Sequence, residues 1–85
     1  MINVGVIGYG YWGPNLVRNF NESMGTQVTA VSDLSNERLA LAKRRYPTIE
    51  TTTDHRELWS DGRIDAIAVA TPVSRLTITP VSESA

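Results

Sequence analysis

Hydrophobic residues in this chain form short β-branched runs, separated by segments in which apolar side chains recur every three or four residues. The runs predict four strands, at residues 2–7, 28–32, 48–52 and 64–70. The first and last runs are almost wholly apolar, as is typical of strands buried on both faces of a parallel sheet. The intervening periodicity predicts two amphipathic helices whose buried faces carry Leu16, Val17 and Phe20 in the first and Leu39, Ala42 and Tyr46 in the second.

Polar residues and prolines mark the ends of these helices. Pro14 lies near the start of the first helix, where its missing N–H costs nothing. Ser35 is the predicted N-cap of the second helix, and Pro47 ends it. Asp54 and Glu57 have the spacing of a capping-box variant and predict a brief third helix.

The resulting order, β-α-β-α-β-α-β, predicts an α/β fold. Strands separated by helices favour a parallel sheet with right-handed crossovers. We therefore predict a partial doubly wound (Rossmann) sheet with the strand order 3-2-1-4. A ligand should meet the loops after Ile7 and Ala70, where the strand order reverses.

Composition narrows the functional classes. The chain has 85 residues, of which 41% are hydrophobic, and a net charge of −1. Disorder is therefore not expected, and no basic stripe indicates a nucleic-acid partner. The chain has no cysteine, which excludes disulfides, thiolate metal sites and cysteine nucleophiles. No run is long enough to span a membrane and no signal peptide is evident, so we expect a soluble, cytoplasmic protein without a membrane partner.

The first strand ends in a complete G-x-G-x-x-G motif, from Gly8 to Gly13. Gly8 permits a tight turn, Gly10 lets backbone approach a pyrophosphate, and Gly13 allows the helix to pack close to the sheet. The N-terminus of the helix then attracts the phosphates. At average glycine usage, chance produces this pattern in about 3% of chains of this length. The argument therefore depends on its position between a predicted strand and a predicted helix, which predicts dinucleotide binding.

Asp33 ends the second predicted strand, 20 residues after Gly13. A carboxylate at this spacing accepts hydrogen bonds from an adenosine ribose diol. Because it would repel a 2′-phosphate, NAD is favoured over NADP. The alternative is that Asp33 only caps a turn or a helix. Arg38 is a second candidate, either against the adenine or a phosphate or as an ordinary solvated helix charge.

Three aromatic residues within the glycine motif are further cofactor candidates. Tyr9, Tyr11 and Trp12 either cover the cofactor or pack the loop against its own helix. Thr71-Pro72 follows the fourth strand at the predicted crevice and either contacts the cofactor or forms an ordinary turn. His55 is the only histidine, so we assign neither a metal site nor a catalytic residue.

Residues 4–20 resemble the start of the Gfo/Idh/MocA oxidoreductase family, and their Gly-Tyr-Trp-Gly-Pro-Asn-Leu form is most similar to its nucleotide-sugar dehydrogenase branch. Residues 64–74 resemble the fourth strand and following loop of that family. The resemblance implies NAD(P) binding and hydride transfer to or from a C–H of a sugar or cyclitol alcohol. The cofactor residues that it implies are Gly8, Gly10, Gly13, Asp33 and Thr71-Pro72. Such enzymes are commonly oligomeric and add a C-terminal domain that builds the substrate site.

The resemblance ends after Ser74. The family usually continues with Thr-His, a helix, a strand and a Glu-Lys-Pro motif that supplies the catalytic lysine, whereas this sequence continues with Arg75-Leu76 and contains no Glu-Lys-Pro. We therefore expect an incomplete dinucleotide-binding domain over 1–74 and an atypical tail over 75–85. Alone it should be inactive, with a sugar-type substrate only in a full-length form. The alternatives are a stand-alone nucleotide-binding module and a nonfunctional truncated remnant.

The tail has two explanations. Leu76 and Ile78 alternate with threonines, which is consistent with a short extra strand before a disordered polar end. The second explanation is a frameshift after Ser74, because codons for these residues exist that, read in another frame, give the Thr-His continuation of the family. The half-built sheet leaves the fourth strand, residues 64–70, as an apolar edge, so we expect marginal stability and self-association through that strand.

Overall fold

The computed structural model describes residues 1–9, 13–70 and 76–80. Its elements are β1 (Ile2–Ile7), α1 (Gly13–Glu22), β2 (Thr26–Ser32), α2 (Asn36–Arg45), β3 (Glu50–Thr52), α3 (Arg56–Ser60), β4 (Ala66–Ala70) and β5 (Leu76–Pro80). None of the helices in these ranges is long and apolar enough to cross a membrane.

All five strands form one sheet in the order β3-β2-β1-β4-β5. The first four are mutually parallel, which confirms the predicted Rossmann order 3-2-1-4. β1 is the central strand of this group: Val6 pairs with Val31 on one side and Ala68 on the other. The carboxyl ends of β1, β2 and β4 therefore meet at one edge of the sheet.

The expectation of an exposed fourth strand is wrong. β5 runs antiparallel to β4 and pairs along its whole length, from Ala70 opposite Leu76 to Ala66 opposite Pro80. Because β1 occupies the other side, both edges of β4 are hydrogen-bonded. The extra strand considered for the tail is thus confirmed over Leu76–Pro80, and the remainder of the tail lies outside the described residues.

The core consists of two clusters that lie on opposite faces of the sheet. Successive strand residues point to opposite faces, and Ala68 belongs to the first cluster while its neighbour Ile67 belongs to the second. Buried residues of both predicted helical faces join the first cluster: Val17, Leu39 and Ala42, with Phe20 and Tyr46 packed against it. The second is Ala30, Leu58, Ile64 and Ile67.

The predicted caps had different outcomes. Ser35 is the N-cap of α2, because its hydroxyl accepts a 3.4 Å hydrogen bond from the Arg38 amide. The prediction of a capping box at Asp54 and Glu57 is wrong. α3 begins only at Arg56, whose amide donates to the Asp54 carboxylate at 3.0 Å, and the Glu57 carboxylate accepts a hydrogen bond from the Thr52 hydroxyl instead of reaching back to a cap.

Candidate functional site

Gly8 follows β1 at the point where the strand order reverses. Its φ is +91°, a left-handed conformation that other L residues rarely adopt. A Cβ built on Gly8 would lie 2.5 Å from the backbone oxygen of Ala70, at the end of β4. The Gly8 amide also donates to the Ser32 oxygen at 2.7 Å. The loop therefore starts with its backbone against the ends of β2 and β4, as the first glycine of the motif requires.

Asp33 follows β2 and is nearly buried, with 9% exposure. One carboxylate oxygen accepts a hydrogen bond from the Tyr9 amide at 2.8 Å, and the other accepts one from the Ser35 amide at 2.9 Å. Asp33 therefore does cap a turn, and its contact with a ribose stays a prediction. Each oxygen has a second lone pair, so the capping role leaves acceptor capacity for a ligand hydroxyl.

The side chain of Tyr9 packs into the first core cluster and is only 4% exposed. This confirms the packing alternative for Tyr9, because a buried ring is not available to cover a cofactor. Burial raises the pKa of the phenol, the negative charge of Tyr46 adds to the increase, and the positive charge of Arg45 opposes it. Tyr9 contacts the candidate site through its backbone amide, which donates to the Asp33 carboxylate.

The other predicted cofactor residues lie either in the first turns of α1 and α2 or outside the described ranges. Gly13 is the first residue of α1, as the motif predicts. Arg38 is exposed in the first turn of α2, and its guanidinium forms no ion pair with any described residue. The predicted cofactor residues Gly10, Tyr11, Trp12, Thr71 and Pro72 lie outside the residues that the structure describes.

One feature of the site was not predicted from the sequence. The Ala70 carbonyl approaches Gly8 because of strand register, which leaves no local sequence signal. The bond from the Ser35 amide to Asp33 was offered by the sequence as a turn cap, because aspartate commonly accepts from the amide two residues later. His55 is exposed at the start of α3, and no group of acidic or histidine side chains in the described ranges is arranged to hold a metal ion.

An open groove lies at the opposite, amino-terminal edge of the sheet, between the α1–β2 connection and the end of α2. Met24 and Pro47 are among its lining residues. The groove includes neither Gly8 nor Asp33, so it is separate from the candidate site.

The sequence matches the model of the Gfo/Idh/MocA family, described as "Oxidoreductase family, NAD-binding Rossmann fold", over residues 2–77. The chain belongs to this family. It is 41% identical over 70 residues to "Inositol 2-dehydrogenase 2" of Paenarthrobacter aurescens (strain TC1), a match that covers 81% of this chain and 20% of the relative. The chain thus spans about a fifth of that relative's length.

Solved structures of oxidoreductases share the fold of this chain. An oxidoreductase from Agrobacterium radiobacter in complex with NAD+, L-tartaric acid and magnesium is 25% identical with a TM-score of 0.76, covering 85% of this chain and 21% of that one. Myo-inositol 2-dehydrogenase from Lactobacillus plantarum is 26% identical with a TM-score of 0.74, covering 84% and 21%. This chain is therefore an NAD-binding Rossmann domain of an oxidoreductase family.

Proposed function

We propose that this chain is the cofactor-binding part of an NAD-dependent oxidoreductase that acts on CH–OH groups of sugars, nucleotide sugars or cyclitols. The observation that carries the proposal is the Gly8 turn. Its left-handed backbone lies where a Cβ would meet the Ala70 oxygen, so a glycine is required at the crossover point of the sheet. That is where a doubly wound sheet binds a dinucleotide.

The described residues fit NAD. Asp33 places a carboxylate beside the same loop, and no cation in the described part of the chain pairs with it. Its unused lone pairs would accept the two hydroxyls of an adenosine ribose, whereas a 2′-phosphate would meet its negative charge at close range. This is the basis for preferring NAD over NADP.

The remaining cofactor residues are assigned from the motif. Gly10 and Gly13, with the N-terminus of α1, would hold the pyrophosphate, and Thr71-Pro72 would contact the cofactor at the end of β4. Arg38, in the first turn of α2, would approach the adenosine. When bound, NAD would accept the hydride from an alcohol carbon of the substrate. We assign no proton-transfer residue, because the 85 residues contain no Glu-Lys-Pro.

Calorimetric titration of the whole chain with NAD and NADP tests this proposal. We expect saturable NAD binding that is tighter than NADP binding. Asp33→Ala should weaken NAD binding about ten- to hundredfold, because hydrogen bonds to a charged group are worth about 1.5–3 kcal/mol each. NADP should be affected less, since the variant also removes a repulsive charge.

Asp54→Ala is the matched control. Asp54 also accepts a hydrogen bond from a backbone amide two residues later, at 3.0 Å, but among the described residues its carboxylate bonds only to Arg56 and not to Gly8 or Tyr9. It should bind NAD like the wild type. If the folded wild-type chain binds neither dinucleotide, the proposed function is wrong for this chain, and the inert-remnant alternative replaces it.

A further inference from the structure

Three aspartates in this chain share one local motif. Asp33, Asp54 and Asp61 each accept a hydrogen bond from the backbone amide two residues later, at 2.9, 3.0 and 2.9 Å. Such turns are stable locally and require no contact with a distant part of the chain. The difference among the three lies in what their second carboxylate oxygen contacts.

In two cases the second oxygen accepts from a nearby guanidinium. Asp54 accepts from Arg56 at 3.1 Å and Asp61 from Arg63 at 2.7 Å, and both carboxylates are at the surface. Asp33 differs, because its second oxygen accepts at 2.8 Å from the amide of Tyr9, 24 residues earlier in the chain. Its charge is therefore met only by backbone N–H groups of two separate loops among the residues described.

Tyr9 is thus held at two points. Its ring is fixed in the core by packing, and its amide is fixed by a nearly buried carboxylate. A hydrogen bond to an ionised acceptor is roughly twice as strong as a neutral one. Together these contacts fix the first turn of the glycine-rich loop relative to both β2 and α2 without requiring any ligand.

We infer that Asp33 is a positioning residue, which holds the backbone of Tyr9, at the start of the glycine-rich loop, in place before the dinucleotide arrives. This inference rests on the proposed function, because the loop matters as a pyrophosphate site. It adds a role that is separate from any contact of Asp33 with the ribose. Ordering the loop in advance reduces the conformational entropy lost on binding.

Amide hydrogen exchange, measured by NMR on the ligand-free 85-residue chain, tests this inference. In the wild type, the Tyr9 amide should be protected to a degree approaching that of Val31 in β2. In Asp33→Ala, the Tyr9 amide should exchange about tenfold faster or more, and its proton resonance should move upfield. Val31 should stay protected, which separates loop release from global unfolding. In the control Asp54→Ala, Tyr9 should behave as in the wild type.

Two results would overturn the inference. One is unchanged Tyr9 exchange in a folded Asp33→Ala chain. The other, which applies even if that variant does not fold, is a Tyr9 amide that exchanges freely in the wild type while Val31 is protected. Titration with NAD keeps the two proposals apart. A protected Tyr9 in a chain that binds no NAD would refute the proposed function and leave the loop-positioning role of Asp33 intact.

Discussion

The backbone oxygen of Ala70 lies 2.5 Å from the position that a Cβ on Gly8 would occupy. This close approach joins the ends of β1 and β4 at the crossover of the sheet. It also means that Gly8 is constrained twice, once by its φ of +91° and once by the space around it.

Gly8→Ala should therefore destabilise the chain more than a left-handed backbone alone explains. The conformation itself costs a non-glycine residue about 1–2 kcal/mol. The methyl group would also force β4 or the loop to move. We expect urea unfolding to show a total loss clearly above about 2 kcal/mol.

Gly25→Ala is the control for that experiment. Gly25 has nearly the same φ, +93°, but a Cβ on it would meet no atom within 4 Å. It should lose only the backbone contribution, about 1–2 kcal/mol. Equal losses in the two variants would show that the Ala70 carbonyl moves aside at little cost.

Leu58 supports the second core cluster from α3. It is 2% exposed and packs with Ile64 beneath β1 and β4, where the absence of a side chain on Gly5 leaves room for both. Leu58→Ala should cost about 2–5 kcal/mol, much of the stability of a domain this small. Leu41→Ala, at a leucine with 58% exposure, should be nearly neutral in the same urea unfolding experiment. Similar losses at both positions would contradict this packing.

The buried phenol of Tyr9 predicts a loss of stability at alkaline pH. Burial raises its pKa in the folded chain above the ordinary value of 10.0, whereas the unfolded chain has the ordinary value. The contribution of the Tyr9 phenol to the free energy of unfolding is fully present below pH 10 and decreases as the pH rises through the folded-state pKa. Tyr9→Phe should therefore show a flatter decline of unfolding free energy above pH 10 than the wild type. Parallel pH curves for the two proteins would argue against a desolvated phenol.

β5 should keep the chain from self-associating through β4. Ending the chain after Ser74 removes β5 and leaves the backbone groups along one edge of Ala66–Ala70 unpaired. Sedimentation over a concentration series should then show association beyond that of the whole chain. Ending it after Pro80 retains β5 and serves as the control. If both shortened chains sediment alike, the pairing with β5 does not protect this edge.

The sequence alone predicted the α/β class, the parallel order 3-2-1-4 and the buried helix faces, because each follows from local periodicity and from handedness rules. It also predicted that Gly8 and Asp33 lie at the ends of β1 and β2 and that Gly13 lies at the start of α1, since glycine conformation and the spacing of a βαβ unit are local properties. The boundaries were less accurate. β2 begins two residues earlier than predicted, at Thr26, and β3 two residues later, at Glu50.

The tertiary structure decided what depends on residues far apart in the chain. From the sequence, a tyrosine within a glycine motif could either cover a ligand or pack in the core. The structure places the Tyr9 ring in the core, among residues of α1, α2 and the sheet. The second partner of the Asp33 carboxylate, the Tyr9 amide, comes from the juxtaposition of β1 and β2. The sequence did not decide whether the tail forms a strand. The structure places β5 antiparallel to β4, where it pairs with backbone groups that would otherwise lack hydrogen-bond partners.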